Sequence, residues 1–182
     1  NIDVVFPVMH GKNGEDGTIQ GLLELSGIPY VGCDTLASAC CMDKAVTNTI
    51  ADCAGIKQAK WLSTTKEEFS KDGSAFIKKA ESYLGYPIFV KPANAGSSVG
   101  ISKATDERTL RDAFEKAFSQ DRKIVLEEFV DGYEVECAVL GNYEPMPTVV
   151  GQIIPANEFY DYDAKYNNDN SKLLIPAAIT LE

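Results

Sequence analysis

Short apolar runs alternate with segments of helical spacing through the first two thirds of the chain. The runs that are typical of strands lie at 2–8, 29–32, 59–62, 87–90 and 123–129. The segments with an apolar face at helical spacing lie at 18–25, 35–40, 43–54, 74–84 and 106–119. Strands and helices that alternate with short connections predict an α/β arrangement.

Capping residues predict where the helices begin and end. Thr18 is predicted to cap the first helix and Thr105 the last. Asp43 is predicted as the N-cap of the helix over 43–54, which Gly55 ends.

The pattern changes after Asp131. Runs at 133–140 and 144–154 flank Gly141-Asn142, which predicts a hairpin with no helix between its strands. Residues 155–171 are polar and rich in tyrosine, and a loop of that length is often a functional lid, so we expect one here. A strand is predicted again over 172–176.

Composition narrows the class of protein. With 182 residues, 45% of them hydrophobic, the chain can bury a core of one or two domains. A net charge of −10 without a basic stripe argues against nucleic acid and anionic membranes as partners. The apolar runs are too short for a membrane span and no basic leader is visible, so we expect a soluble cytoplasmic protein and, from its ends, an excised piece.

Five scattered cysteines and a single histidine predict neither a disulfide framework nor a metal site. We expect buried free thiols in a reducing compartment.

Residues 86–102 predict a strand, a loop of small residues and a second strand. Gly96 and Gly100 allow positive φ angles and a close approach of backbone N–H groups to an anion. Lys91 adds a cation, and Ser97 and Ser98 add hydroxyl donors. This combination predicts a phosphate-binding loop, although an ordinary hairpin turn with a nearby lysine fits the loop alone equally well.

The string H-G-K-N-G-E-D-G at 10–17, followed by Q-G, resembles the H-G-x-x-G-E-D-G signature of the D-alanine:D-alanine ligases. Further matches to that family follow in order and cover essentially the whole chain. They are M-D-K at 42–44, V-K-P at 90–92, G-S-S-V-G at 96–100, L-E-E-F-V at 126–130, Glu134, and F-Y-D-Y-D-A-K-Y at 159–166.

The resemblance implies an ATP-grasp fold, α/β and α+β, preceded by the end of an N-terminal Rossmann-like domain. It implies domain ranges of 1–40 for that end, 41–130 for the central ATP-grasp subdomain and 131–182 for the start of the C-terminal one. The lid would be the loop 155–171. The family also implies a homodimer.

For the nucleotide, the resemblance implies that Lys44 and Lys91 hold the α- and β-phosphates of ATP beneath the loop Gly96, Ser97, Ser98, Val99 and Gly100. The strand Glu127, Glu128, Phe129 and Val130 would read adenine with its backbone edge, with Phe129 against the ring. Glu134 would bind the ribose hydroxyls, and Lys165 would reach the γ-phosphate. Lys44 alone could be an ordinary first-turn lysine, and Glu127, Glu128 and Glu134 a solvated acidic strand face.

For the amino acid, the resemblance implies that His10 and Glu15 face the first D-alanine and that Ser97 and Tyr166 close over it. The implied reaction is attack of that D-alanine's carboxylate on the γ-phosphorus, then attack of a second D-alanine's amine on the acyl phosphate, giving D-alanyl-D-alanine for peptidoglycan. The family's Mg²⁺ (or Mn²⁺) ligands are expected outside this segment, so no metal ligand is assigned.

Three other functions stay open from the sequence. D-Alanine:D-serine and D-alanine:D-lactate ligases of the vancomycin-resistance type share the ATP machinery, although Tyr166 favours D-alanine. A non-catalytic ATP-grasp module would not need His10, Glu15 or Lys165. An acidic interaction domain explains the charge but not the loop at Gly96.

Overall fold

The computed structural model describes residues 2–154 and 172–179. They belong to two compact units, Asn1–Phe129 and Val130–Glu182. The finer domain ranges 1–40, 41–130 and 131–182 stay predictions, and the predicted lid over 155–171 lies outside the described residues.

The first unit begins with an extended segment in place of the strand predicted over 2–8. Within the described residues, this segment pairs only through one parallel bridge between Val5 and Tyr30. Ile2, Val4, Phe6 and Val8 are all exposed. A regular strand needs a hydrogen-bonded neighbour along its length, which the described part of the chain does not supply here.

Two short helices follow, α1 (Thr18–Leu25) and α2 (Thr35–Met42). The prediction that Thr18 caps α1 was wrong, because Gly17 occupies the N-cap position without a side-chain cap. Asp16 accepts a hydrogen bond from the Thr18 N–H at 3.1 Å instead. Its carboxylate therefore supplies the acceptor that an N-cap side chain would otherwise provide.

A four-stranded antiparallel sheet carries the rest of the first unit. The strands β1 (Trp61–Thr65), β2 (Ile88–Pro92), β3 (Ser102–Ala104) and β4 (Lys123–Glu128) are arranged in the order β1-β4-β2-β3. The helices are α3 (Lys44–Cys53), α4 (Lys66–Leu84) and α5 (Glu107–Phe118).

The main core lies between α4, α5 and one face of this sheet. It is formed by the helical residues Ile77, Leu110 and Phe114 and the strand residues Ile88, Val90, Ile124 and Leu126. Fully burying each such side chain contributes about 1.5–3 kcal/mol. Successive side chains of a strand point to opposite faces, so Phe89, Lys91, Val125 and Glu127 lie on the face toward α3.

The start of α3 agrees with the prediction, whereas the start of α4 and the cap of α5 differ from it. α3 begins after Asp43, whose carboxylate accepts from the N–H groups of Ala45 and Val46, as predicted. α4 begins at Lys66 with a Thr65–Glu68 capping box, eight residues before the predicted start at 74, and bends at Asp72. Asp106 caps α5 in place of the predicted Thr105.

The second unit contains small antiparallel sheets. They are formed by β5 (Glu134–Glu136), β6 (Val139–Leu140), β7 (Met146–Pro147), β8 (Gly151–Ile154) and β9 (Lys172–Leu174). β6 pairs with β7, and β8 lies between β5 and β9. The predicted hairpin around Gly141-Asn142 forms, with each of its two long strands broken into two shorter ones.

Two remaining sequence expectations concern burial. The cysteines carry free thiols, but the prediction that they are buried was wrong: Cys40 is half-buried and the other four are exposed. No described helix combines the length and the apolar content that crossing a bilayer requires.

Candidate functional site

The loop between β2 and β3 holds left-handed backbone conformations at its centre. Ser97 has φ 51°, Ser98 has φ 60° and Gly100 has φ 75°. The sequence indicated that Gly96 and Gly100 allow positive φ angles; Gly100 adopts one, whereas Gly96 does not. A left-handed conformation costs an L-residue roughly 1–2 kcal/mol, and strain of this kind concentrates at ligand-binding loops.

Gly96 is required for another reason, the close approach of a second loop. A β-carbon at Gly96 would lie 2.9 Å from the α-carbon of Gly11 and 3.4 Å from the Glu15 Oε2 atom. The Gly11 N–H donates to the Glu15 carboxylate, and the Gly11 carbonyl accepts from the Glu15 N–H at 2.9 Å. The structure therefore brings the 10–17 motif against the phosphate-loop candidate.

A cleft of about 290 Å³ lies where these two loops meet. His10, Gly11 and Lys12 form one part of its wall, and the other part comes from Asn94, Ala95, Gly96, Ser97, Val99 and Gln120. The predicted residues His10, Gly96, Ser97 and Val99 thus line one cleft, with the Glu15 carboxylate directly behind Gly11.

Lys44 lies at the start of α3 and extends toward the same loop. Its Nζ donates to the Ala95 carbonyl at 2.8 Å, and its backbone N–H donates to the Ala93 carbonyl at 3.0 Å. Burial lowers the pKa of Lys44, and the positive charge of Lys91 lowers it further. Two ammonium groups close enough to repel one another are a natural counterpart to a polyphosphate.

Lys91 forms an ion pair with Glu127 across the neighbouring strands β2 and β4. The pair is about four-fifths buried, with exposed side-chain fractions of 24% and 19%. Asn48 on α3 donates to the other Glu127 oxygen at 3.4 Å. Glu127 is therefore no solvated acidic side chain, since it holds Lys91 on the α3 face of the sheet.

An aromatic surface lies beside these charges. Phe89 and Phe129 stack with their ring centroids 6.2 Å apart. Lys103 Nζ lies 4.8 Å from the centroid of Phe129, which is 42% exposed. An exposed aromatic face with a cation beside it can accept another flat ring.

The side chain of Glu128 has a structural partner. Its carboxylate accepts from the Lys60 N–H at 2.8 Å and pairs with Lys60 Nζ at 3.3 Å. These contacts with Lys60 lower the pKa of Glu128. The side chain thus joins β4 to the segment before β1.

A polar network that the sequence did not reveal holds Asp43, the N-cap of α3, next to Lys44. Asp43 pairs with Lys123, and Asn94 Nδ2 bridges Asp43 at 3.2 Å and Asp121 at 3.2 Å. Burial raises the pKa of Asp43, but hydrogen bonds from Lys123, the Val46 N–H and Asn94 outweigh it, so the pKa lies below its usual value. Asp43 was recognised only as a helix cap, because its other partners are distant in sequence.

The remaining predicted residues lie elsewhere. Val130 and Glu134 belong to the second unit, where both are exposed and Glu134 pairs with Ile153 in the β5–β8 ladder. Lys165 and Tyr166 lie outside the described residues.

Comparison with known proteins gives matches along the chain. The family profile described as "D-ala D-ala ligase C-terminus" matches residues 50–182, and that of "D-ala D-ala ligase N-terminus" matches residues 1–33. A D-alanine–D-alanine ligase of Acetivibrio thermocellus is 58% identical over 181 residues, which is 100% of this chain and 48% of that protein. One of Geobacillus thermodenitrificans is 55% identical over 181 residues, covering 100% of this chain and 50% of that protein.

Solved structures agree with these matches. The VanG D-Ala:D-Ser ligase from Enterococcus faecalis has a TM-score of 0.85 and 46% identity, covering 99% of this chain and 51% of that one. The D-alanyl-alanine synthetase A from Vibrio cholerae has a TM-score of 0.83 and 34% identity, covering 100% of this chain and 54% of that one. This chain spans about half the length of the relatives that it matches. Over that span, its sequence and its fold place it in the D-alanine–D-alanine ligase family, whose members have the ATP-grasp fold.

Proposed function

We propose that the whole protein joins two D-alanines to D-alanyl-D-alanine at the expense of ATP, through an acyl phosphate, for the synthesis of peptidoglycan. The observation that carries this proposal is the contact of the 10–17 motif with the Gly96 loop, whose Ala95 carbonyl accepts from Lys44 and which follows the strand that carries Lys91. The proposed amino-acid end and polyphosphate end would thereby adjoin within one unit, as transfer of a γ-phosphoryl group to a carboxylate requires.

The phosphate end would be held by charge and by the backbone. Lys44 and Lys91 would neutralise the α- and β-phosphates, while backbone N–H and hydroxyl groups around Ser97 and Ser98 would cover them. Strained residues at the centre of this loop are a reason to expect a ligand there, since strain persists where it serves binding.

The base of ATP would pack on the exposed face of Phe129. The residues of β4 and of the segment after it, Glu127 to Val130, would offer backbone groups to adenine, and Glu134 would bind the ribose. The partial exposure of Phe129 favours this role for the ring over a role in the core, and Lys103 over the ring adds a cation to the same surface.

The amino-acid end would be the cleft lined by His10 and Ser97, with Glu15 behind it. Positioning and charge neutralisation would supply most of the catalysis, because phosphoryl transfer needs little covalent help from the protein. Tyr166 and Lys165 would close the site from the loop 155–171. This closure would keep water from the acyl phosphate.

Mg²⁺ supports phosphoryl transfer by offsetting the charge of the phosphates. The part of the chain that the structure describes has no group of three or more His, Cys, Asp or Glu side chains placed to hold a metal ion. The described residues therefore do not fit a metal centre, and none is proposed as a ligand.

Ligation of D-serine in place of the second D-alanine is the second candidate. It is favoured by the likeness to the VanG D-Ala:D-Ser ligase, at 46% identity and a TM-score of 0.85. The proposed nucleotide end would serve either reaction, so the identity of the product decides between the two candidates.

ATP-dependent phosphate release by the intact protein tests these proposals. It should be measured with D-alanine alone and with D-alanine plus D-serine or D-lactate, and the products should be identified by mass. Dialanine as the dominant product is expected. D-Alanyl-D-serine as the main product would favour the second candidate, and D-alanyl-D-lactate would indicate a D-alanine:D-lactate ligase. ATP binding without D-alanine-dependent release would indicate a non-catalytic module.

A further inference from the structure

The turn between α5 and β4, residues 119–122, holds the first end of the Gly96 loop, residues 93–100. One carboxylate oxygen of Asp121, Oδ2, accepts from the Asn94 N–H at 2.8 Å and from Asn94 Nδ2 at 3.2 Å. The other oxygen, Oδ1, accepts from the Lys123 N–H at 3.3 Å, which ties the carboxylate to the start of β4. Both Asn94 and Asp121 are half-buried. Asp121 therefore joins the turn to the loop at the point where the chain leaves β2.

The end of α5 and the same turn contact the other end of the loop. A β-carbon at Gly100 would lie 2.8 Å from Gln120 Cγ and 2.8 Å from Pro92 Cγ, so Gly100 packs directly against these two side chains. Lys116, in the last turn of α5, donates to the Ile101 carbonyl at 3.3 Å. One structural element thus holds both ends of the loop, and the two serines with left-handed conformations lie between those ends.

The contacts of Asn94 also reach Lys44. Asn94 Nδ2 donates to Asp43 at 3.2 Å, and Asp43 caps the helix that begins with Lys44. Lys44 Nζ in turn donates to the carbonyl of Ala95, the residue after Asn94. A polyphosphate bound by both the ammonium group and the loop needs a fixed distance between them. Asn94, held by Asp121, lies where that distance is set.

We propose that Asp121 is a positioning residue for the polyphosphate: by holding Asn94, it keeps the Gly96 loop at the distance from Lys44 that phosphate binding requires. This inference rests on the nucleotide role proposed above. Asp121 acts through Asn94, since Asn94 lines the cleft at Ser97, whereas Asp121 is not in the wall that the described residues form. The negative charge of Asp121 would repel a polyphosphate, so its reason for lying here is geometric.

Two substitutions separate the hydrogen bonds of Asp121 from its charge. Asp121→Ala removes both, whereas Asp121→Asn removes the charge and keeps one side-chain oxygen for Asn94, giving up the longer bond from the Lys123 N–H. Loss of a negative charge near the loop would by itself strengthen the binding of an anion. Weaker binding in Asp121→Ala would therefore report the lost positioning and not the lost charge.

Titration calorimetry on the intact protein should compare ATP, inorganic tripolyphosphate and adenosine. In Asp121→Ala, we expect the Kd values for ATP and tripolyphosphate to rise about three- to tenfold, the effect of about one hydrogen bond. In Asp121→Asn, both values should stay near or below those of the parent. Adenosine lacks phosphates, so its Kd should be the same in all three proteins.

Asp106→Ala is the matched control. Asp106 is likewise a carboxylate that accepts from a backbone N–H, that of Thr109 at 2.7 Å, but it lies at the opposite end of α5. Its removal takes away the same charge and a helix cap, so it lowers the unfolding midpoint. Its Kd for ATP should equal that of the parent. Equal weakening in Asp106→Ala and Asp121→Ala, or a parallel loss of adenosine binding, would show that Asp121 only supports the fold.

The remaining outcomes also decide the proposal. Unchanged or tighter ATP binding in Asp121→Ala would overturn it, and so would equal weakening in Asp121→Asn. If the parent binds ATP but shows no D-alanine-dependent phosphate release, the ligase function fails while the Kd values still decide the role of Asp121. If the parent binds neither ATP nor tripolyphosphate, the loop is no phosphate site and both proposals fail.

Discussion

The α-carbon of Gly11 lies so close to Gly96 that a β-carbon at position 96 would be 2.9 Å from it. Real β-carbons do not approach backbone atoms so closely, so any side chain at position 96 must push the two loops apart. Gly11 follows His10 directly, and Gly96 precedes Ser97. This one contact therefore sets the separation of the proposed amino-acid and phosphate ends.

Gly96→Ala should separate these ends. Forcing a methyl group into a packed contact costs about 1–3 kcal/mol, and we expect a loss of D-alanine-dependent phosphate release together with a lower unfolding midpoint. Gly21→Ala is the control, because its nearest neighbours would lie at an ordinary 3.7 Å and a helical alanine is favourable. Equal activity of both variants would show that the contact does not position the site.

Lys91 has two roles that a pair of variants can separate. Lys91→Met removes a proposed phosphate ligand and takes the ion-pair partner from the Glu127 carboxylate, which is about four-fifths buried, and this costs about 1–3 kcal/mol of stability. Lys91→Met/Glu127→Gln removes that charge as well. We expect chemical denaturation to show recovery in the double variant, whereas calorimetry should show weakened ATP binding in both.

A matched lysine variant controls for net charge in this experiment. Lys78 is exposed on α4, on the opposite side of the sheet from Lys91. Lys78→Met should leave ATP affinity unchanged. If it weakens binding as much as Lys91→Met does, the loss reflects overall charge, and Lys91 is no phosphate ligand.

Local patterns predicted much of the first unit. The runs at 87–90 and 123–129 became β2 and β4, and Asp43 caps α3 where the sequence indicated. These features depend on spacing and capping within a few residues, which a single sequence displays directly.

Features that depend on distant partners could not be predicted. Asn94 bridges Asp43 and Asp121, which lie 51 and 27 positions away. The left-handed conformations of Ser97 and Ser98 are imposed by the loop's surroundings against the preference of serine. The segment 2–8 has the composition of a strand, but strand formation depends on neighbours that composition does not reveal.

The site was predicted through its motifs more than through its geometry. Resemblance selected His10, Glu15 and Lys44, whereas Lys91 was selected by its position beside the loop of small residues. The structure brings the 10–17 motif and Lys44 against that loop. Resemblance could not select Lys103, whose contact with Phe129 depends on β2 and β3 pairing so that Phe89 lies opposite Lys103. Pairing the two strand segments within residues 88–104 as a hairpin would have placed Lys103 opposite Phe89.

Phe129→Ala should weaken ATP binding because it removes the contact with adenine, while the contacts with the phosphates remain. Loss of one stacking face costs about 1–3 kcal/mol, so we expect the Kd for ATP to rise roughly 5- to 150-fold. Inorganic tripolyphosphate, which has no ring, should compete at the lysines equally well in the variant and the parent. A parallel loss for both ligands would mean that Phe129 supports the fold of the site and does not contact adenine.

Asp43 should make stability depend on pH in the acid range. Its folded-state pKa lies below the ordinary 3.8, so its contribution is complete above that value and is lost as the pH falls through the folded-state pKa. Asp43→Asn keeps an N-cap acceptor but cannot pair with Lys123 as an anion. The free energy of unfolding of both proteins should be measured by urea denaturation between pH 7 and pH 3. The parent should be more stable than Asp43→Asn at neutral pH, and this difference should shrink toward pH 3. A difference that is constant with pH would show that the charge of Asp43 contributes nothing.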